Sequence, residues 1–172
     1  LTSPILDDQS EAIAFLGAPS SYGAGIERVE TIETHVSLVF MAGECAHKLK
    51  RAVKLPYLDF STVSRRREAC AAELQLNRRT APALYREIRR LGRDAAGAVC
   101  FSEAGPAVDW VVVMRRFDQA LLFDALARSG GLGPRVMDAL ADHIAAFHEA
   151  AERKSDQGGA AAMIDIAETN HR

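Results

Sequence analysis

The sequence predicts an α+β fold in which an antiparallel sheet of about five strands carries one inserted helix and is followed by helices alone. Three observations lead there. β-branched and polar residues alternate through 26–50 with room only for tight turns, and a segment of helical spacing then occupies 61–79. Beyond 119 apolar residues recur at intervals of three and four. Strands joined by short turns pair antiparallel, and the helix between two groups of strands makes this order α+β.

Taken in order, "DDQSEAIAFL" has acids at its start and Ile13, Phe15 and Leu16 towards its end. It suits a short helix closed by Gly17 and Pro19, with "SSYGAG" a loop after it. "IERVETIETHVSLV" and "SLVFMAGECAHKLKRAV" supply three alternating strands, with a turn at 42–44. "PYLDF" connects to a helix that Ser61 or Ser64 can cap. On that helix Ala69, Cys70, Glu73, Leu76 and Asn77 are read as one inward face, and the arginines at 65–67 and 78–79 as solvated. "PALYREIRRL" is compatible with helix or strand. "AGAVCFS" and "AVDWVVVMRRF" are strands, the second with an uninterrupted apolar centre that marks it as the most buried. A short helix over 119–128 ends at "SGGLG", and Pro134 opens another with Val136, Met137, Leu140, Ile144, Phe147 and Ala151 at helical spacing. The tail "KSDQGGAAAM" reads as loose. The domain division expected is 1–117 for the sheet and 118–172 for the beginning of a helical part.

A chain of 172 residues that is 48% apolar can bury an ordinary core. It has no run of about eighteen apolar residues and no basic-then-apolar leader pattern, so a cytoplasmic protein without membrane contact is expected. Cys45, Cys70 and Cys100 are widely spaced and odd in number, which reads as free thiols. The net charge of −2 hides a basic middle third, with thirteen Lys/Arg residues and only four acids between His47 and Arg93. Such a stretch suits phosphate groups, nucleic acid, an acidic partner domain or a plain solvated surface. The chain starts at Leu1 without methionine, which reads as a piece of a longer protein.

The pattern with chemistry in it is a strand lysine and a helix acid about two dozen residues apart. In kinase-type nucleotide sites a strand lysine neutralises α- and β-phosphate charge, and a carboxylate on the next helix holds the ammonium in place. "CAHK" has the form of the V-A-I-K strand, with Ala46 small enough to lie against a purine, Lys48 as the phosphate lysine and Glu73 as its partner. Lys50, on the same face of the strand, is the alternative.

Three segments, "ETHVSLVFMAGECAHKLKRAVKLPYLDFSTVSRRREACAAELQLNRRTAPALY", "DWVVVMRRF" and "DHIAAFHEAAER", together resemble the aminoglycoside phosphotransferase-like (choline-kinase-like) kinase family. The likeness is greatest to the subgroup found as the front half of bacterial proteins that also carry a P-loop ATPase-type domain. The helix pattern E-L-x-L-N-R-R-x-A-P is its most specific part, and the resemblance covers about 16–153. It implies a protein-kinase-like N-lobe and the start of an α-helical lobe, with ATP and Mg2+ as cofactors and phosphoryl transfer to a hydroxyl of a small-molecule acceptor. Residue by residue, it implies that Lys48 contacts ATP phosphates, that Glu73 pairs with it, and that the 33–37 turn, including Ser37, lies over the phosphates. It also implies that the hinge meeting adenine is formed at 114–117, with Met114, Arg116 and Phe117, and that "ALYREIRRL" is a strand. The 33–37 turn lacks glycine, unlike the corresponding loop of protein kinases, and members of this family often do without it. Transfer needs an H-G-D-x-x-x-x-N loop and a later Asp that binds metal, and neither occurs in this chain. The closing "NHR" stops before any aspartate.

Other motifs fall away. No G-x-x-x-x-G-K-[ST] is present, and "SGGLGP" lacks the lysine. His143 and His148 are about 140° apart on a helix and cannot grip one metal as an i, i+4 pair could. His35 and His47 are expected to flank the phosphate site as strand residues, and Trp110 and Phe117 to pack in the sheet. The expected function is thus the ATP-binding lobe of a small-molecule kinase. The alternatives are a non-catalytic, pseudokinase-like partner-binding module, or nucleic-acid binding through the arginines of 65–93, which the scarcity of aromatics among them disfavours.

Overall fold

In the computed structural model, which describes residues 7–155 and 158–171, the chain divides into two compact units, 1–119 and 120–172. The first is α+β. Its six-stranded antiparallel sheet runs in the order β1 (Val29–Glu33), β2 (Ser37–Ala42), β3 (Cys45–Lys50), β8 (Asp109–Arg115), β6 (Tyr85–Arg93), β7 (Val99–Phe101). A separate two-stranded hairpin, β4 (Lys54–Leu55) with β5 (Leu58–Asp59), lies between β3 and the inserted helix. "PALYREIRRL" is therefore a strand, interrupted by a bulge between Tyr85 and Glu87. β2 and β3 close on Gly43 and Glu44, and Gly43, at φ 54°, takes the positive-φ position of a two-residue hairpin.

Alternation sorts the central strands into two faces. Leu38, Phe40, Leu49, Leu91, Val111 and Val113 turn one way and meet Ala12 and Leu16 of α1 (Ser10–Gly17), making the main core. The opposite face is partly covered by α2 (Val63–Asn77), which packs on β8 and β6. Thr62, rather than Ser61 or Ser64, caps α2: its Oγ1 accepts from the Arg65 N–H at 3.3 Å, while Ser61 binds Asp59 and Ser64 binds Glu68.

Two expectations for α2 fail. Arg66 is wholly buried, and Leu76 is exposed. Arg66, Cys70, Glu73 and Asn77 recur at four, three and four residues and define the inward face, with Leu76 about 90° from its centre.

Close approach, rather than backbone sign, fixes Gly92 on β6. A Cβ there would stand 2.9 Å from the Ser102 carbonyl oxygen and 3.2 Å from that of Ala104. Backbone cannot swing aside, so Gly92→Ala is expected to cost about 1–3 kcal/mol, read as a lower urea midpoint with an unchanged m-value.

The second unit holds α3 (Phe123–Ser129), α4 (Pro134–Ala150) and α5 (Gly159–His171). The tail is thus helical where a loose segment was expected, because Ala160 to Ala162 favour helix and Gly158 and Gly159 merely precede it. Asp156, Gln157, Arg172 and the side chains of Asn170 and His171 lie outside the described residues. Among the described residues no helix is long and apolar enough to cross a membrane.

Candidate functional site

On the face that α2 only partly covers, strand alignment builds a floor. Met41, Ala46 and Met114 stand opposite one another across β2, β3 and β8, with Tyr85 of β6 beyond Met114. Val39, Lys48 and Val112 form the next row. Ala46, small between two methionines, leaves a depression, and this is the base of a cleft of about 330 Å³. Ile32, Thr34, Ser37, Lys48, Tyr85, Arg116 and Phe117 also line it. Such a volume is at the lower end of the range for small-molecule sites.

Lys48 reaches from the floor to α2, where its Nζ lies 2.8 Å from Glu73 Oε1. Lys50, one alternation further along β3, places its Nζ 2.6 Å from Glu73 Oε2. One carboxylate thus holds both candidate lysines, a different one on each oxygen. Their surroundings differ: the Lys48 side chain is 28% exposed and lines the cleft, whereas that of Lys50 is 7% exposed and lies over the Phe60 ring at 4.9 Å. Burial pushes the Glu73 carboxyl up, but hydrogen bonds from Lys48 and Lys50 outweigh it and hold the group below its ordinary value. Asn77 Nδ2 donates to the Glu73 carbonyl at 3.0 Å, steadying this turn of α2. Burial and then the Glu73 charge hold the Tyr85 hydroxyl above its ordinary range, against the pull of Lys48.

The 33–37 turn is closed without glycine. Thr34 donates its N–H (2.9 Å) and hydroxyl (3.0 Å) to the Ser37 carbonyl, and the Ser37 N–H donates back to Thr34 Oγ1 at 3.0 Å. The Ser37 amide is therefore already engaged. At the far end of the cleft Arg115 N–H donates to Leu84 and Arg116 N–H to Glu44, each at 2.8 Å. The N–H and C=O of Phe117 have no partner among the described residues. Arg116 Nη2 is 3.1 Å from Glu30 Oε2, and Arg28 holds the same carboxylate.

Of the residues singled out from sequence, Ser37, Ala46, Lys48, Met114, Arg116 and Phe117 line one cleft, and Glu73 is bound to Lys48 at its edge. Phe117 does not pack in the sheet; it is beyond the end of β8 and its ring is at the cleft wall. His47 does not flank this site. Strand neighbours point to opposite faces, and the His47 ring is buried against Tyr22 (4.8 Å between centroids) and Phe101 (5.7 Å). His35 is near Tyr57, with Nε2 3.5 Å from the hydroxyl. Val39, Met41 and Tyr85 escaped notice, although the first two share the parity of Ser37 along β2 and were within reach of the alternation rule.

The basic segment is largely satisfied inside the molecule. Arg65 pairs with Asp59, Arg67 lies over the Trp110 ring at 5.3 Å, Arg78 donates to the carbonyls of Tyr85 and Arg86, and Arg93 pairs with Glu11. Arg66 is at the centre of a buried hub. Its Nε contacts both Asp109 carboxylate oxygens (2.9 and 3.1 Å), its Nη1 donates to the Phe60 carbonyl (3.0 Å) and its Nη2 reaches Asp7 (2.8 Å). Gln9 Nε2 donates to Asp109 Oδ2 (2.7 Å) and to the Lys50 carbonyl (2.9 Å), and Gln9 Oε1 accepts from Ala52 N–H (2.7 Å). The hub ties α2, β8, the end of β3 and the residues before α1 together, and so fixes Glu73 over Lys48. Among the described residues no group of three or more His, Cys, Asp or Glu side chains is arranged to hold a metal ion. Cys45, Cys70 and Cys100 are free thiols, and burial pushes the Cys70 thiol up to about 12.

No family model matches the chain. No solved structure matches it. The chain is similar to two uncharacterized mycobacterial proteins, Rv2004c of Mycobacterium tuberculosis (strain H37Rv) and Mb2027c of Mycobacterium bovis, at 34% identity over 125 residues in each case. The match takes in 73% of this chain and 23% of each relative, so the chain spans about a quarter of the length of the curated proteins it resembles.

Proposed function

We propose that this chain is the ATP-binding lobe of a small-molecule kinase of the aminoglycoside phosphotransferase-like kind, its first unit being a protein-kinase-like N-lobe. The observation that carries the reading is the 2.8 Å contact between Lys48, on the third strand, and Glu73, on the inserted helix, at the edge of a cleft with an apolar floor. A lone ammonium in a cleft attracts anions of any kind, but one braced by a helix carboxylate and adjoining a flat apolar surface suits a nucleotide. Ala46 between Met41 and Met114 supports the purine end, where the Phe117 N–H and C=O are available to a heterocycle edge. Lys48 supplies the charge that phosphate oxygens require. ATP would contribute the phosphoryl group, and this chain's part is to bind and orient it. The acid that orients an acceptor hydroxyl and the Mg2+ ligands are assigned to other parts of a protein as long as the relatives, because no H-G-D-x-x-x-x-N run occurs in this sequence.

The nucleic-acid reading is disfavoured by the partners of Arg65, Arg66, Arg67, Arg78 and Arg93, each engaged within the fold.

Calorimetric titration with MgATP tests the proposal. Wild-type protein should bind, and Lys48→Ala should bind about ten- to a hundredfold more weakly, the effect of losing one charge-assisted contact to phosphate. A folded wild type without affinity, or equal affinity in the two proteins, overturns it.

A further inference from the structure

We propose that Lys50 is the fixed counter-ion of Glu73, so that Lys48, still braced by that carboxylate, can share its charge with an anion in the cleft without leaving the carboxylate under-compensated. The inference rests on the nucleotide-site reading for the identity of the anion, but its core, a division of labour between two lysines, stands on geometry alone.

The Glu73 side chain is only 12% exposed. A carboxylate at such depth is costly unless paired, and removing the partner of a buried ion is far more damaging than losing a surface pair. With one lysine, an ammonium shared with a ligand would leave that carboxylate under-compensated, and binding would carry the penalty. With two, each on its own oxygen, one ion pair survives. The surroundings say which lysine meets the ligand. Lys50 Nζ lies over the Phe60 ring, its side chain is 7% exposed, and its carbonyl is held by Gln9. Lys48 is the more exposed of the two and is the one that lines the cleft. Among the described residues, Tyr85 on β6 and Cys70 on α2 itself also feel the Glu73 charge. Both are neutral at physiological pH, since burial raises each above its ordinary value, so neither can replace an ammonium.

The first test needs no ligand. Folding equilibria from urea denaturation should fall by less than about tenfold in Lys48→Met and in Lys50→Met, because each leaves one ion pair. The double variant should fall more than a hundredfold, beyond the product of the two single effects, and Glu73→Gln added to it should restore most of the loss. Multiplicative single effects, or no rescue by Glu73→Gln, overturn the proposal.

The second test uses MgATP and calorimetry in buffers of different ionisation heat. Lys50→Met should weaken binding by about tenfold or more and should take up additional protons per nucleotide relative to wild type, as Glu73 gains a proton when phosphate takes a share of the charge of its one remaining lysine. Lys50→Arg should abolish the additional uptake. Equal proton uptake in wild type and Lys50→Met overturns the proposal, whereas no MgATP affinity in the wild type counts against the nucleotide reading alone and leaves the denaturation test to decide this one.

Discussion

Arg66→Met will lower the stability of the first unit by about 3–5 kcal/mol, a large part of what a domain of this size possesses. Arg66 has no exposed side-chain surface and Asp109 is 1% exposed, so methionine would leave a carboxylate in the interior with only the Gln9 amide and the Trp110 N–H for company. Phe60 and Asp7 would lose a partner as well. Burial alone would lower the Arg66 pKa, but Asp109 and then Asp7 raise it, so the guanidinium remains charged and the pair is a true ion pair. The loss should appear as a shifted urea midpoint. Arg66→Met/Asp109→Leu should regain part of it, because removing both charges is less harmful than removing one. A single-variant effect under about 1 kcal/mol would contradict the burial of the hub. Because Arg66 and Glu73 share one face of α2, seven residues apart, the same variant should also weaken the proposed nucleotide binding by letting the helix drift from β3.

Acid will destabilise the same unit through His47. Burial first, and the Arg89 charge second, push its imidazole down from 6.5 to about 4, against a smaller opposing effect of the Phe40 carbonyl. The Nδ1 atom is buried with no hydrogen-bond partner. In the unfolded chain the ring takes a proton below about 6.5, while in the folded one it does so only near 4. Its contribution is therefore fully present above 6.5, declines as pH falls from there towards 4 and is flat below, a total of about 3 kcal/mol. Urea midpoints for wild type and His47→Leu at a series of pH values between 7.5 and 4 provide the check. The wild type should lose stability more steeply through that window, and parallel curves would mean that His47 is not held neutral.

β8 showed itself by an uninterrupted apolar centre, while period-two alternation made β1, β2 and β3 legible and placed Ala46 and Lys48 on one face. It did not separate Lys48 from Lys50, because parity gives both the same face and only the depth of Phe60 and α2 distinguishes them. β6 was ambiguous because Tyr85 to Arg93 combines charged residues of good helix propensity with a bulge that breaks the alternation. Arg66 was misplaced on the general expectation that arginine stays wet. Its spacing to Cys70 and Glu73 contained the contrary signal, but nothing local indicated that Asp109, 43 residues away, would meet it. The helicity of 159–171 was masked by two glycines and a polar approach, a case where a boundary signal was extended too far into the element that follows it.

The bulge in β6 settles what kind of surface a ligand would meet. Counting back from Glu87 opposite Val113, an uninterrupted ladder would bring Arg86 opposite Met114 and send Tyr85 to the far side. One surplus residue absorbs the slip, so a phenol borders the cleft, while the Arg86 guanidinium is turned to Cys45. Were the frame regular, a permanent cation would stand beside the methionine floor in place of a neutral phenol.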